Sequence, residues 1–342
     1  MKKYILLALA SILLFSMLFS CQKREKIIDQ ETGERIKLSI NRFEDIIFED
    51  NSPNYREFLE DNYEEYKHLF NNEIDDQYFE MIREFAMDSI MKETYKAVAD
   101  RYPNLAWLEK DLEQGFARLQ SNYKDIIIPK IYTLILGPDE FSAAYHRRIA
   151  ATQDFIAVAI DLYSIPSFET NSVYSHFPQY LQNILDSNFI APDLFYTYLR
   201  EVTTIDIPLI EHEYSSSLIE IMIERGKYLY STKELLPSYK LKDVLRYSKE
   251  EMEWVEKNER NIWAFLTQNN LLFEKNRSKY INMIGEGPTT KGIIDSPPRL
   301  GEYIGYRIVE EYAKKNKPSI KDILELRDMN AVLKESGYKP KR

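Results

Sequence analysis

The stretch Pro208–Tyr230 (PLIEHEYSSSLIEIMIERGKYLY) constrains the fold more than any other. Wound as one helix, it places Ile210, Tyr214, Leu218 and Ile221 along one side, with Ile219 and Ile223 nearly opposite. A helix apolar on two sides must be covered on two sides, so this one is expected at the centre of a mostly helical body. Pro208 suits the first turn, where its missing N–H leaves no bond unmade. Gly226 is expected to mark the exit, because glycine takes the left-handed C′ conformation without a Cβ penalty.

The same stretch holds the strongest enzyme-like pattern. His212-Glu213-Tyr214-Ser215-Ser216 supplies four-fifths of H-E-x-x-H, in which two histidines one turn apart face a zinc ion and the glutamate activates water. Ser216 stands where the second imidazole is needed, and a neutral hydroxyl is a poor zinc ligand. Arg225 rather than a carboxylate precedes Gly226, so the usual third ligand is missing as well. No metal or other cofactor is expected, and His212 and Glu213 read as a partly buried polar pair on a core helix.

The N-terminus is a secretory signal. Lys2 and Lys3 precede an apolar run from Tyr4 to Phe19 that is too short and wrongly flanked for a stable membrane span. Leu18, Ser20 and Cys21 match a bacterial lipobox, in which the cysteine is acylated and becomes the new N-terminus. Cys21 is the only cysteine, so the exported chain uses it for something other than a disulfide. Two or three acyl chains give durable anchoring where one is marginal. Losing Lys2 and Lys3 takes the formal charge from −10 to −12. An acidic body argues against nucleic acid and against electrostatic docking on anionic lipid.

Residues 1–20 are therefore read as signal, 21–35 as a charged tether, and 36–342 as a single α+β domain. Alternation over Ile36, Leu38 and Ile40 predicts a strand, as do Ile126–Leu136 and the nearly all-apolar Phe155–Tyr163. Helices are expected from Ser52-Pro53 to about Phe70, from an Asp75 or Asp76 cap to Tyr102, and from Leu105 to Tyr123. Beyond Asp161 the chain reads as helical, which confines a small sheet to the first half.

Other motifs carry less. Gly226-Lys227 fails as a phosphate loop, because Ile221 and Tyr228 replace required residues. Gly285-Glu286-Gly287 fails as a dinucleotide fingerprint, with Thr290 at the third glycine and Pro288 lacking an N–H. The four histidines form no pair at i+3 or i+4. Ser248 with Glu251 has capping-box spacing and opens a helix on which Asn258 and Glu259 either bond neighbouring groups or face a cleft. Gly301 and Gly305, after Arg299, lie one turn apart and together cost about 2 kcal/mol relative to alanine. Such a pair implies a tight helix crossing or a ligand wall.

These pieces come in a recognisable order. Ile40, Arg42 and Phe43 are followed by Ile160–Tyr163, then by Leu218–Tyr230 with Gly226 and Lys227. The helix bearing Trp254, Asn258, Glu259 and Trp263 comes next, then Ser296–Val309 and a closing Tyr338–Pro340. The array resembles the gliding-motility lipoprotein GldB family of Bacteroidetes over essentially the whole mature chain. It departs at Tyr303, where tryptophan is expected, and at Ser164, where glycine commonly ends the strand.

The resemblance implies an envelope lipoprotein needed for gliding and the associated protein-secretion apparatus, with no agreed enzymatic activity. It also implies a distant likeness to zinc peptidases of the thermolysin-like class, here degenerate. The leading expectation is a non-catalytic, lipid-anchored protein whose partners are the membrane, through Cys21, and envelope proteins. Gln22, Lys23, Arg24 and Glu25 lack an acidic export cluster, which favours a periplasm-facing leaflet. A divergent zinc metallohydrolase using Glu213 is the alternative from another class. A third is a solute- or glycan-binding lipoprotein walled by Gly226 and the Gly301–Gly305 helix.

Overall fold

The structure, a computed structural model, describes residues 36–48, 55–69, 75–124, 126–137, 148–167, 178–203 and 216–340. Its sheet is built on two short apolar strands, Lys130–Leu134 (β2) and Phe155–Ala159 (β4), which pair in parallel. Ile40–Arg42 (β1) adds to β2 in parallel, and Ile149–Ala151 (β3) pairs antiparallel with β4, giving the order β1-β2-β4-β3. β4 is central and almost wholly buried, as its unbroken apolar run predicts.

The strand limits differ from the sequence reading. Only Ile40 of the predicted Ile36–Ile40 strand pairs; the amide of Leu38 donates to the carboxylate of Glu113 instead, and that of Ile40, on the outer side of β1, to Glu109. Pro129, which has no N–H to give a ladder, precedes β2. β4 stops at Ala159, because Ile160 and Asp161 turn into a 3-10 segment, Leu162–Ser167. Buried Asp161 accepts from the amides of Leu136 and Gly137 and so holds the exit of β2. β3, only three residues long, had no periodicity to announce it.

The helices before β2 are Phe43–Phe48 (α1), Tyr55–Asp61 (α2), Tyr63–Tyr66 (α3), Asp76–Met87 (α4), Ser89–Arg101 (α5) and Ala106–Asn122 (α6). Asp75 caps α4 as predicted, accepting from Tyr78 N. The single helix expected to reach Tyr102 is broken at Asp88, whose carboxylate bonds the amides of Ile90 and Met91. A short acidic side chain that competes for backbone donors ends one helix and starts the next. The segment from Pro53 is likewise divided, into α2, α3 and a 3-10 turn at Lys67–Leu69.

After the sheet come Gln179–Gln182 (α7), Ile190–Thr203 (α8), Leu218–Leu235 (α9), Leu241–Val244 (α10), Lys249–Gln268 (α11) and Arg277–Ile284 (α12). Leu300–Asn316 (α13), Ile320–Leu324 (α14) and Met329–Ser336 (α15) complete the chain. Two buried apolar clusters result, one around the sheet, α6 and α8, the other around α11 and α13. α9 contributes to both, with Tyr228 and Leu235 in the first and Leu218, Met222 and Ile223 in the second. The central place expected for this helix is therefore the observed one.

Its limits are not. α9 starts at Leu218 with a Ser217–Glu220 capping box and runs through Gly226 to Leu235, while Pro208, Ile210 and Tyr214 lie outside the described residues. Gly226 is thus not an exit but a crossing point. An added Cβ there would overlap the Gly305 carbonyl and lie 2.8 Å from Tyr306 N. A Cβ on Gly305 would in turn overlap the main chain of Met222, and one on Gly301 would lie 2.9 Å from Met283 O. The glycine pair on α13 is a tight helix crossing, the first of its two expected meanings.

Candidate functional site

Between the two apolar clusters lies a set of buried charges. Asp193, in the first turn of α8, receives Arg148 Nε at 3.0 Å, Tyr163 Oη at 2.8 Å and Arg246 Nη1 at 3.3 Å. Arg246 Nη2 reaches Glu302 at 3.4 Å, in the first turn of α13, and Arg225 Nη1 donates to the same carboxylate at 3.0 Å. Arg299 adds a contact with Glu302 at 3.5 Å, pairs with Glu286 at 3.0 Å, and donates to the carbonyls of Leu245 and Arg246. Asp193, Arg246, Arg299 and Glu302 are all buried, so each charge depends on its partners rather than on water.

Two of these arginines are also strained. Arg246 (φ 55°) and Arg299 (φ 56°) sit in the left-handed region that side chains rarely adopt. Their guanidinium groups lie against Tyr196 and Tyr247, at 5.8 and 5.2 Å from the ring centres. Burial alone would push Asp193 up, but Arg148 and then Arg246 outweigh it and hold the carboxyl below its ordinary range. Burial and the adjacent Asp193 charge push the Tyr163 hydroxyl well above its own. Asp193 therefore carries no proton to give at neutral pH and is a weak base, while Tyr163 stays protonated as a donor. The chemistry on offer is clamping rather than proton transfer.

The sequence-predicted residues are distributed differently. Cys21, His212 and Glu213 lie outside the described residues, as do His146 and His176. Ser216 is buried, and its carbonyl accepts from Tyr280 Oη. Lys227 is fully buried, with Nζ 2.8 Å from Leu326 O and 2.9 Å from Glu224. It closes the end of α14, and burial lowers its pKa more than Glu224 raises it. Asn258 bonds the Trp254 carbonyl of its own helix. Glu259 is buried and accepts from Tyr303 Oη at 2.9 Å and Tyr338 Oη at 2.8 Å, with Arg307 Nε at 3.4 Å. Asn258 and Glu259 thus bond neighbouring groups. Of the predicted residues that the structure describes, only Arg299 joins the buried charge cluster; Gly226, Gly301 and Gly305 form the crossing beside it.

Among the described residues no group of three or more His, Cys, Asp or Glu could hold a metal ion. Nor is any helix among them long and apolar enough to cross a membrane. Against known proteins, the sequence pattern described as gliding motility protein GldB matches residues 23–340. The chain belongs to the GldB family. Membership makes it a gliding-motility-related protein, and the motifs read from Ile40 to Pro340 all lie within the matched span. No curated protein and no solved structure matches it.

Sequence reasoning missed Arg148, Asp193, Arg246 and Glu302 in this GldB-family chain. Each is one charged residue among many, and the group forms only when α8 meets α13. One clue was available in Asp193, an acid directly after Pro192 at a helix start.

Proposed function

We propose that this GldB-family chain is a non-catalytic envelope lipoprotein. In this reading the chain is anchored through Cys21 on a periplasm-facing leaflet and supports gliding and associated secretion by holding partner proteins. The 36–342 body acts as one unit on the 21–35 tether. One observation carries the non-catalytic part of the reading. Among the described residues the best-formed charged centre is buried and its charges bond one another, and a catalytic acid or base must instead reach its substrate.

The anchoring is tested in cells with Cys21→Ala. The expected variant leaves the membrane fraction, loses palmitate labelling and no longer supports spreading. Unchanged labelling defeats the anchor. The non-catalytic reading is tested separately by metal analysis of the purified protein. Stoichiometric zinc that disappears in His212→Ala or Glu213→Gln would replace it with a metallohydrolase.

A further inference from the structure

The two edges of the sheet are treated in opposite ways. At β1 the amides of Leu38 and Ile40 are taken by Glu113 and Glu109 of α6, so acidic side chains cover that end of the edge. Charged side chains on an edge are a recognised guard against unwanted strand pairing. At β3 the register with β4 is Ile149–Val158, Ala150–Ala157 and Ala151–Ile156. Arg148 O accepts from Ala159 N, and Thr152 N donates to Phe155 O, at 2.8 Å each. Positions 148, 150 and 152 therefore bond inward to β4. By antiparallel alternation, the N–H and C=O groups of Ile149 and Ala151 point outward.

No side chain guards those outward groups among the described residues. The residue best placed to do so, Arg148, is turned inward onto Asp193. Ile149 is buried, Ala150 exposed and Ala151 half-exposed, and the two alanines are small enough to let another backbone approach. Thr152 Oγ1 accepts from the amides of Asp154 and Phe155 and so fixes the turn into β4.

We infer that the outer edge of β3 is a docking site for an extended polypeptide segment of a partner protein, which adds to the sheet as a further strand. Outward backbone donors and acceptors two residues apart are matched by another extended backbone, with side-chain preference secondary. A second copy of this chain is disfavoured as occupant. A three-residue edge supplies a small part of the roughly 800 Å² per partner that a stable dimer needs. Two acidic bodies also repel, each carrying −12 once Lys2 and Lys3 are lost from a formal −10. This inference rests on the partner-holding part of the proposed function and is independent of the anchor.

The probe is a randomised pool of acetylated hexapeptide amides, selected on full-length protein in detergent and read by amide resonances of the isoleucines and alanines. Selected peptides are expected to shift Ile149 and Ala151. They should bind Ala151→Pro at least about tenfold more weakly, since proline removes only an outward donor and leaves the β3–β4 ladder intact. Ala151→Pro should melt with the wild type, and N-methylation of alternate peptide residues should abolish binding. Four results overturn the site: selected peptides that shift other residues, equal binding to Ala151→Pro, survival of binding after N-methylation, or a pool yielding no binder at the edge. Ile149 and Ala151 shifts that follow protein concentration without peptide would make the occupant a second copy and overturn the partner segment. Failure here leaves palmitate labelling at Cys21 unchanged, so the two readings fail separately.

Discussion

Gly305→Ala is the sharpest probe of the α9–α13 crossing. A methyl inserted into an ordinary core costs about 1–3 kcal/mol, because side chains shift to admit it. At Gly305 the obstacle is the main chain of Met222, which cannot rotate away, so the two helices must part by about 1 Å. A gap of that size forfeits about a quarter to a half of each dispersion contact across it. Ile219, Met222, Ile304 and Ile308 flank the crossing in one buried cluster, and full burial of each is worth about 1.5–3 kcal/mol. A quarter of that at these positions is about 2 kcal/mol. Adding about 2 for overpacking and subtracting about 1 for alanine's better helix propensity leaves a net loss of about 3 kcal/mol. For a chain of this size, melting followed by circular dichroism should fall by about 4 °C. Gly287→Ala is the control: its Cβ would meet Thr289 O at an ordinary 3.5 Å, so its melting should stay within about 1 °C of wild type. A Gly305→Ala protein that melts at or above the wild-type temperature refutes the close crossing.

Other consequences are as direct. Asp193→Asn leaves Arg148 and Arg246 without their carboxylate and should cost about 3–5 kcal/mol at neutral pH. Because the folded pKa of Asp193 is depressed, its contribution is complete above the ordinary value of 3.8 and is lost as pH falls through the lower, folded value. Urea curves of the wild type and of Asp193→Asn should therefore converge only in strong acid, and coincidence at pH 7 refutes the pairing. Tyr338→Phe keeps the ring against Trp263 but removes a donor to buried Glu259, a loss of about 1.5–3 kcal/mol readable as a lower urea midpoint. An unmoved midpoint would mean that Glu259 does not depend on Tyr338. The double variant Glu109→Ala/Glu113→Ala uncovers the β1 edge and should associate as concentration rises in light scattering; a monomer throughout would show that these carboxylates guard nothing.

The fold was legible wherever a local rule had no competitor. The Asp75 and Ser248 caps, the central helix and the buried β4 follow from side chains acting within a few residues of themselves. It was illegible where a distant group decided the outcome. Gly226 looks like a helix stop until Gly305 arrives from the far end of the chain and makes it a contact point. Leu38 alternates with Ile40 like a strand residue, yet it stays outside β1 with its amide bonded to Glu113 on α6. The charged cluster was the least visible feature of all. Its members come from the entrance to β3, α8, α9, the end of α10 and both sides of the loop before α13. No window of ten residues contains more than two of them.

That dispersal bears on what the cluster is for. A buried ion pair costs nearly as much in desolvation as it returns in attraction, so stability alone is a weak reason to keep one. Geometry is a stronger reason. Asp193 belongs with the sheet cluster and Glu302 with the α13 cluster, and Arg246 must reach both from a left-handed backbone. Few relative placements of α8 and α13 satisfy that requirement, whereas apolar side chains would tolerate many. Asp193 also fixes Arg148, the residue that leads into β3, and turns it away from the open edge of the sheet. The cluster thus ties Asp193 to Glu302 through Arg246 and draws Arg148 inward, away from the outer edge of β3, two effects that the partner-holding role proposed above would use.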